Sequence, residues 1–323
     1  MTGQVLIGEA DGHSVVLGLA EPGALPSLRQ TFACATEDEL VAAIREFLFE
    51  AGVVSLSRAA FCAPGPVIDG GLQLTRHPLR LNRERLADAS GASDLKLVND
   101  FLARAAAMPL LPDDWLEAIG EARPRQAAPA AAMGPIDGEG LGMAVLSPDG
   151  FVGWSASPGE GGHADLAAAD DREAAIIATL RRQHGHVSAE TVLTIDGVRD
   201  VHRALVLLAG GPEGRLTWEE VQALAEAGDP AAGETFRLLS GWLGAVAGDL
   251  ALVAGARSGV FVFSPFLASW GRLFDRGIAR ARFEAKGRMA AYQAGVPLYL
   301  VGSRDCGLLG LSALCRSSGL LAG

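Results

Sequence analysis

The residues most able to do chemistry gather in two short strings. The first is Ser157-Pro158-Gly159-Glu160-Gly161-Gly162-His163-Ala164-Asp165. Its three glycines permit close backbone approach around an acid, an imidazole and a second acid. A carboxylate accepts hydrogen bonds from two hydroxyls at once, and a neutral imidazole both donates and accepts. Such a set can hold a hydroxyl-rich ligand such as a sugar without phosphate or metal. A polar surface turn carries the same residue types, so the string alone leaves both readings open. The second string is Asn99-Asp100, where the apolar run Leu95-Lys96-Leu97-Val98 meets the Ala-rich stretch Phe101 to Met108. Ligand groups in α/β sheets gather at such strand ends, and an Asx-type helix cap is the structural alternative. No Cys/His set has zinc spacing, neither Gly-x-x-x-x-Gly-Lys-Ser/Thr nor Gly-x-Ser-x-Gly occurs, and no metal ligands are assigned.

The elements that must position these strings follow from local patterns. Gln4 to Gly8 and Ser14 to Leu19 read as the strands of a hairpin over residues 4–20, with the acidic tip Glu9-Ala10-Asp11-Gly12-His13. Thr36-Glu37-Asp38-Glu39 has the form of a capping box and precedes helically spaced Leu40, Ile44, Phe47 and Leu48; Ala59 to Gly65 reads as a strand into a turn. Residues 95–100 form a strand and 101–108 a helix. Pro124 to Pro135, rich in Ala and Pro, reads as a surface connection. Gly138-Glu139-Gly140-Leu141-Gly142 through Leu146, then Ser147 to Val152, reads as a second glycine-tipped strand and hairpin that echoes residues 4–20. From about Asp170 the chain is mainly helical, with strands at Val260–Phe263 and Pro297–Val301 and a helix after Gly307.

A length of 323 residues suits two core-forming units, and 49% hydrophobic against 20% charged residues gives them cores to build. The formal net charge of −11 has the wrong sign for a general nucleic-acid or acidic-membrane binder. The first residues lack a basic segment followed by an apolar one, and the apolar stretch Gly244 to Pro265 is interrupted by Asp249 and Arg257, so neither a secretion signal nor a membrane span is expected. Four scattered cysteines without a Cys-x-x-Cys pair fit a reducing cytoplasm.

Taken together, Val98-Asn99-Asp100-Phe101, Pro158 to Asp165, Gly185-His186-Val187-Ser188-Ala189-Glu190, Phe283-Glu284-Ala285-Lys286-Gly287-Arg288 and Cys306-Gly307-Leu308-Leu309-Gly310 resemble, in order and spacing, the bacterial glucokinase family of actin-like sugar kinases. The likeness covers nearly the whole chain. It implies a two-lobed α/β fold of actin-like, ribonuclease H-like type with an interlobe cleft, the small lobe being residues 1–110 plus 304–323 and the large lobe 111–303. It also implies that ATP and Mg²⁺ serve the transfer of phosphate to the 6-hydroxyl of glucose or a close hexose. Asp100 matches the family's catalytic base and Asn99 its sugar-binding neighbour, while Glu160, His163 and Glu190 match residues that hold the other hydroxyls. Phosphoryl transfer is mainly positioning and charge stabilisation, so one aspartate that orients the nucleophile is a coherent device. Family likeness further implies a homodimer. A kinase-like repressor would need a helix-turn-helix ahead of a first strand that begins near residue 4.

The nucleotide side departs from the family pattern. The first phosphate loop resembles Asp-x-Gly-Gly-Thr-Asn, and Glu9-Ala10-Asp11-Gly12-His13-Ser14 stands there. The second resembles Gly-Thr-Gly-Leu-Gly, and Gly138-Glu139-Gly140-Leu141-Gly142 has an anion where the family has a hydroxyl. The adenosine motif, a Gly-Gly pair after a strand, appears as Ser264-Pro265, which removes one N–H and adds a ring. A carboxylate about 4 Å from a phosphate oxygen costs roughly 4 kcal/mol at an effective dielectric near 20. Asp11 and Glu139 are therefore expected to weaken triphosphate binding, whereas Glu9 keeps a carboxylate able to hold a Mg²⁺-bound water. Glu9, Gly12, Gly138, Gly140 and Gly142 remain the candidate nucleotide contacts. Two readings stand beside each other at this point: a glucokinase-type kinase, and a non-catalytic sugar-binding or regulatory homologue that has lost its ATP site. A different phosphoryl donor such as polyphosphate is a third.

Overall fold

Residues 3–54, 56–121, 127–149, 153–212 and 214–316 are described by the computed structural model. They form two units: residues 1–112, 146–158 and 304–323 make one, and 113–145 and 159–303 the other. The segment 146–158, expected in the second unit, groups with the first.

In the first unit, β1 (Val5–Ala10) and β2 (Ser14–Ala20) form the expected hairpin, extended by β3 (Leu28–Ala33). The Thr36 capping box opens α1 (Glu37–Glu50), which buries Leu40, Val41, Ile44, Phe47 and Leu48. Then come β4 (Arg58–Ala63), the small sheet β5 (Val67–Ile68), β6 (Gly71–Gln73) and β7 (Arg80–Asn82), α2 (Arg83–Ser90), β8 (Asp94–Asn99) and α3 (Asp100–Ala107). The main sheet runs β3-β2-β1-β4-β8. Because β1, β4 and β8 are parallel, with Glu9 opposite Cys62 and Ala63 opposite Asn99, their C-terminal ends lie side by side.

A closing helix, Cys306–Leu314, completes this unit and is buried along its whole length. It can approach α3 closely because of Gly310, where a Cβ would lie 1.7 Å from the Ala103 carbonyl oxygen. Arg58 of β4 and Lys96 of β8 donate to the Cys315 and Leu314 carbonyls, satisfying acceptors that a helix end leaves open. All four cysteines, Cys34, Cys62, Cys306 and Cys315, are free, buried and in this unit.

The second sheet runs β12-β11-β10-β13-β14-β9, with β9 (Leu116–Ala118), β10 (Ala130–Gly134), β11 (Gly142–Asp149), β12 (Gly153–Gly159), β13 (Gly259–Phe263) and β14 (Leu298–Val301). The helices are α4 (Asp171–His184), α5 (Ala189–Val192), α6 (Ile195–Leu208), α7 (Trp218–Glu226), α8 (Pro230–Ala254), α9 (Pro265–Ser269), α10 (Arg276–Glu284) and α11 (Ala290–Ala294). Two expectations are corrected here. Residues 130–134, expected within a surface connection, are a fully buried strand paired in parallel with β13. A strand covered on both faces needs apolar residues but not large ones, and the Gly134 Cβ position lies 2.5 Å from the Phe263 carbonyl oxygen. Gly138–Leu141 is a loop leading into β11 rather than the start of the strand. Pro124 lies outside the described residues, as do Gly150, Phe151 and Val152 at the expected hairpin tip.

Helix α8 is long and apolar enough, by length and composition, to cross a membrane. Most of it is core: Phe236, Leu239, Trp242, Leu243, Ala247 and Ala251 are buried. Gly244 and Gly248 let α10 approach, their Cβ positions falling 2.0 Å from the Ala279 and 2.6 Å from the Phe283 carbonyl oxygens. The family string at 283–288 serves this packing, since Lys286 Nζ donates to Ala245 O at 2.9 Å and meets Asp249 at 2.6 Å.

Glu173 of α4, 3% exposed, ties three segments together. It accepts from Trp242 Nε1 (2.9 Å) and Ala169 N (2.8 Å) and pairs with Arg282. Burial opposes its charge, but the Arg282 and N–H contacts prevail and hold its pKa below the ordinary value of 4.5. A depressed carboxylate pKa contributes stability that is present above the unfolded pKa and lost as pH falls through the folded one. Glu173→Gln is expected to lower stability at pH 7 by on the order of 2 kcal/mol. In urea titrations from pH 7 to 3 the gap should narrow below about pH 4.5, and a gap independent of pH would mean that the ion pair is not its source.

Candidate functional site

The first unit brings Glu9, Asn99 and Asp100 to the C-terminal edge of its parallel strands. Asn99 caps α3, its Oδ1 accepting from Phe101 N (2.8 Å) while Nδ2 donates to Gly65 O (3.2 Å). Asp100 follows as the first helical residue, 6% exposed, where the helix N-terminus favours a negative group. The capping reading of this string is thus correct for Asn99, and the cap is what fixes the neighbouring aspartate.

One residue that sequence reasoning missed organises this edge. Arg104, 4% exposed, donates from Nη2 to Glu9 Oε1 (2.6 Å) and from Nη1 to the Asp100 carbonyl (3.0 Å), and Nη1 lies 3.7 Å from Asp100 Oδ2. Burial acts against its charge, and the Glu9 and Asp100 carboxylates more than offset it, raising its pKa. The signal was available: an arginine in an otherwise apolar helix needs a buried partner. Glu9 thus has a protein partner that the sequence did not show. Its carboxylate is engaged by Arg104, and among the described residues no cluster of three His, Cys, Asp or Glu could hold a metal ion.

The acidic hairpin tip forms where it was expected. Asp11 Oδ1 accepts from His13 N (2.8 Å) and Ser14 N (2.7 Å), and Oδ2 accepts from Ser14 Oγ (2.9 Å). Its carboxylate closes an Asx-type turn. Gly12 adopts φ +99°, and a Cβ there would meet His77 at 2.7 Å.

In the second unit, Glu160 precedes a single 3-10 turn, Gly161–His163. Packing requires glycine at 162, where a Cβ would fall 2.1 Å from the Leu141 carbonyl oxygen, while a Cβ at Gly161 would fall 2.6 Å from the flexible Met143 Sδ. Glu160 and His163 are exposed, and Glu190 sits close by with Oε1 4.0 Å from His163 Nδ1. Glu190 Oε2 accepts from Leu141 N at 2.9 Å, so this carboxylate, only 20% exposed, also braces the glycine loop. His186, whose part sequence reasoning left unassigned, supports the turn through Nε2 at 2.9 Å from His163 O and Nδ1 at 3.2 Å from Asp165.

Gly138, at φ +86°, packs on Ile195, and its carbonyl accepts from Ile195 N at 2.8 Å, which anchors the glycine loop to α6. Gly140 abuts Glu190 and Gly142 begins β11. Glu139 is exposed, with its N–H on Asp137 Oδ1 at 3.1 Å, so the loop shows two acids where one was expected. Ser264-Pro265 proves to be a helix start. Ser264 Oγ caps Leu267 N at 2.9 Å, and Pro265 occupies the first helical position, where an N–H would have no intrahelical partner. Two depressions of about 480 and 500 Å³ in the second unit, one beside Asp200 and Arg203 and one beside Trp115 and Gly302, include none of these residues.

The comparisons with known proteins agree in direction. A family profile described as glucokinase matches residues 6–318. A glucokinase-like protein of Caulobacter vibrioides is 37% identical over 310 residues, covering 96% of each chain. A glucokinase of Chromobacterium violaceum is 36% identical, covering 95% of this chain and 88% of its own. The crystal structure of a glucokinase from an Antarctic psychrotroph superposes with a TM-score of 0.86 at 28% identity, over 97% of this chain and 98% of that one. The fold is thereby the two-lobed actin-like one of sugar kinases.

The packing of the glycine turn can be tested without ligand. Gly162→Ala is expected to lower stability by about 1–3 kcal/mol, because the Leu141 backbone must give way; an unchanged urea midpoint would show that the turn can relax.

Proposed function

The chain belongs to the glucokinase family, and from that premise we propose the roles of its residues in a glucokinase-type reaction, the ATP-dependent phosphorylation of a hexose. The observation that carries the assignment is the placement of Asp100, buried at the start of α3 beside the capping Asn99 and the Arg104 guanidinium. Asp100 accepts the proton of the sugar 6-hydroxyl as that oxygen bonds to the γ-phosphorus and the bond to the ADP oxygen breaks. Asn99 offers its amide beside it. Glu160, His163 and Glu190 take the remaining hydroxyls, two carboxylates and an imidazole supplying acceptors and a donor in one cluster.

Two of the three grounds for a non-catalytic homologue lose their force, since Asp11 is spent on its turn and Ser264-Pro265 on a helix cap. The exposed Glu139 is the remaining electrostatic cost to the nucleotide. Glucose or a close hexose is the proposed acceptor, Mg²⁺ accompanies the nucleotide rather than residing on this chain's carboxylates, and the working form is a cytoplasmic homodimer without nucleic-acid or membrane partners.

Asp100→Asn should remove turnover by about 10³-fold or more while leaving glucose affinity within a few-fold, as isothermal titration and a coupled assay can read; retained turnover would exclude it as the base. Glu160→Gln should weaken glucose binding by about tenfold in the same titration, one lost charged hydrogen bond, and unchanged affinity would remove Glu160 from the sugar site. On the donor side, Glu139→Thr is expected to lower the KM for ATP about three- to tenfold at low salt. Asp11→Ala should leave that KM within about twofold and lower the melting temperature through the loss of turn hydrogen bonds. The reverse pattern would place Asp11, not Glu139, at the phosphates.

A further inference from the structure

The trio Glu9, Arg104 and Asp100 has a geometry that the proton-transfer role of Asp100 does not require and the capping of α3 does not explain. Asn99 already supplies the cap through two backbone N–H groups. Arg104 nonetheless spends one arm of its fork on the Asp100 carbonyl and stands 3.7 Å from Oδ2 of the same residue, while the other arm holds Glu9 Oε1 at 2.6 Å. Its guanidinium carbon lies 5.7 Å from the centre of the Phe101 ring, which limits where the fork can swing. On the far side, Gly307 of the closing helix leaves the space that the Glu9 carboxylate fills, a Cβ there falling 2.2 Å from Oε2. Three separate elements, β1, α3 and the closing helix, are therefore shaped around one buried cation.

We propose that Arg104 is a positioning residue of the phosphoryl-transfer step, fixing the carboxylate of Asp100 in the orientation from which it takes the sugar proton, with Glu9 as the anchor that aims the guanidinium. The inference rests on the reading of Asp100 as the base. Two carboxylates at one strand edge would repel each other without a cation between them. A planar fork meets both at set directions, which a lysine ammonium, a single compact charge on a flexible stem, does not. Glu9 thereby does work inside the protein by aiming the guanidinium.

The test compares wild type with Arg104→Lys, Arg104→Gln, the pair Glu9→Gln with Arg104→Gln, and Asp100→Asn, using a coupled glucose and ATP assay, glucose titration calorimetry and thermal melts. Arg104→Lys is expected to stay folded with glucose affinity within about threefold of wild type and kcat lower by about 30- to 100-fold, the cost of misplacing a reacting group. The neutral pair, which removes both charges so that no carboxylate is left buried without its cation, should melt above Arg104→Gln alone but keep the low kcat. Arg104→Lys with kcat within about twofold of wild type would overturn the proposal, as would a neutral pair that regains wild-type kcat, since Arg104 would then merely neutralise Glu9. If Asp100→Asn retains turnover, the base assignment fails and this inference with it. If Asp100→Asn is inactive and Arg104→Lys fully active, the positioning role alone fails.

Discussion

The carbonyl oxygen of Ala103 leaves no room above it for a side chain, and Gly310 is what lies there. That backbone-to-backbone approach of α3 and the closing helix is the constraint on which the first unit's chemistry depends. It buries α3 along its whole length, which puts Arg104 out of water and obliges it to find anions. The anions within reach are those at the ends of the parallel strands, Glu9 and Asp100. A helix lifted by even one methyl group at residue 310 would loosen Arg104, and the orientation of Asp100 with it. Alanine at 103, 105, 106 and 107 and glycine at 307 and 310 are thus chemical residues by proxy.

The second unit uses the same device with different cargo. Gly162 presses on the Leu141 carbonyl, and Glu190 takes the Leu141 N–H, so the Gly161–His163 turn and Glu190 are fastened to the same residue by its two backbone groups. Under the proposed roles, one carboxylate both meets a sugar hydroxyl and braces the glycine loop, so a single side chain links the two. Exposed Glu160 and His163 carry no such second duty among the described residues beyond the support His186 gives the turn.

How much of this was legible in the sequence depended on the strength of the local signal. The hairpin at 4–20, the Thr36 capping box, the strand-to-helix passage at Asn99-Asp100 and the late strands carried clear patterns, and the structure places them within a residue or two. Strand β10 was hidden because alanine has no strand preference and flanking prolines suggest a loop; only its place between β11 and β13 makes it a strand. The site divided in the same way. Residue types announced Glu160, His163 and Asp100, but what Glu9 and Asp11 do depends on partners distant or hidden in three dimensions. An acid read as facing solvent or phosphate can as well be answered by an arginine 95 residues away or by its own hairpin.

The four thiols have a consequence for how the chain would meet oxidants and alkylating reagents. All belong to the first unit, and none is exposed. Burial, the leading cause in each case, raises the Cys34 and Cys315 pKa values to about 11 and that of Cys62 well above its ordinary value, with Glu9 adding to the last. The thiolate is the reactive form, so in the folded protein all four are shielded, and Cys34, Cys62 and Cys315 are also held in the wrong protonation state. Modification then requires local opening, and its rate becomes a clock for the lifting of the closing helix, where Cys306 and Cys315 sit at either end. Breathing of the second unit would leave that clock silent.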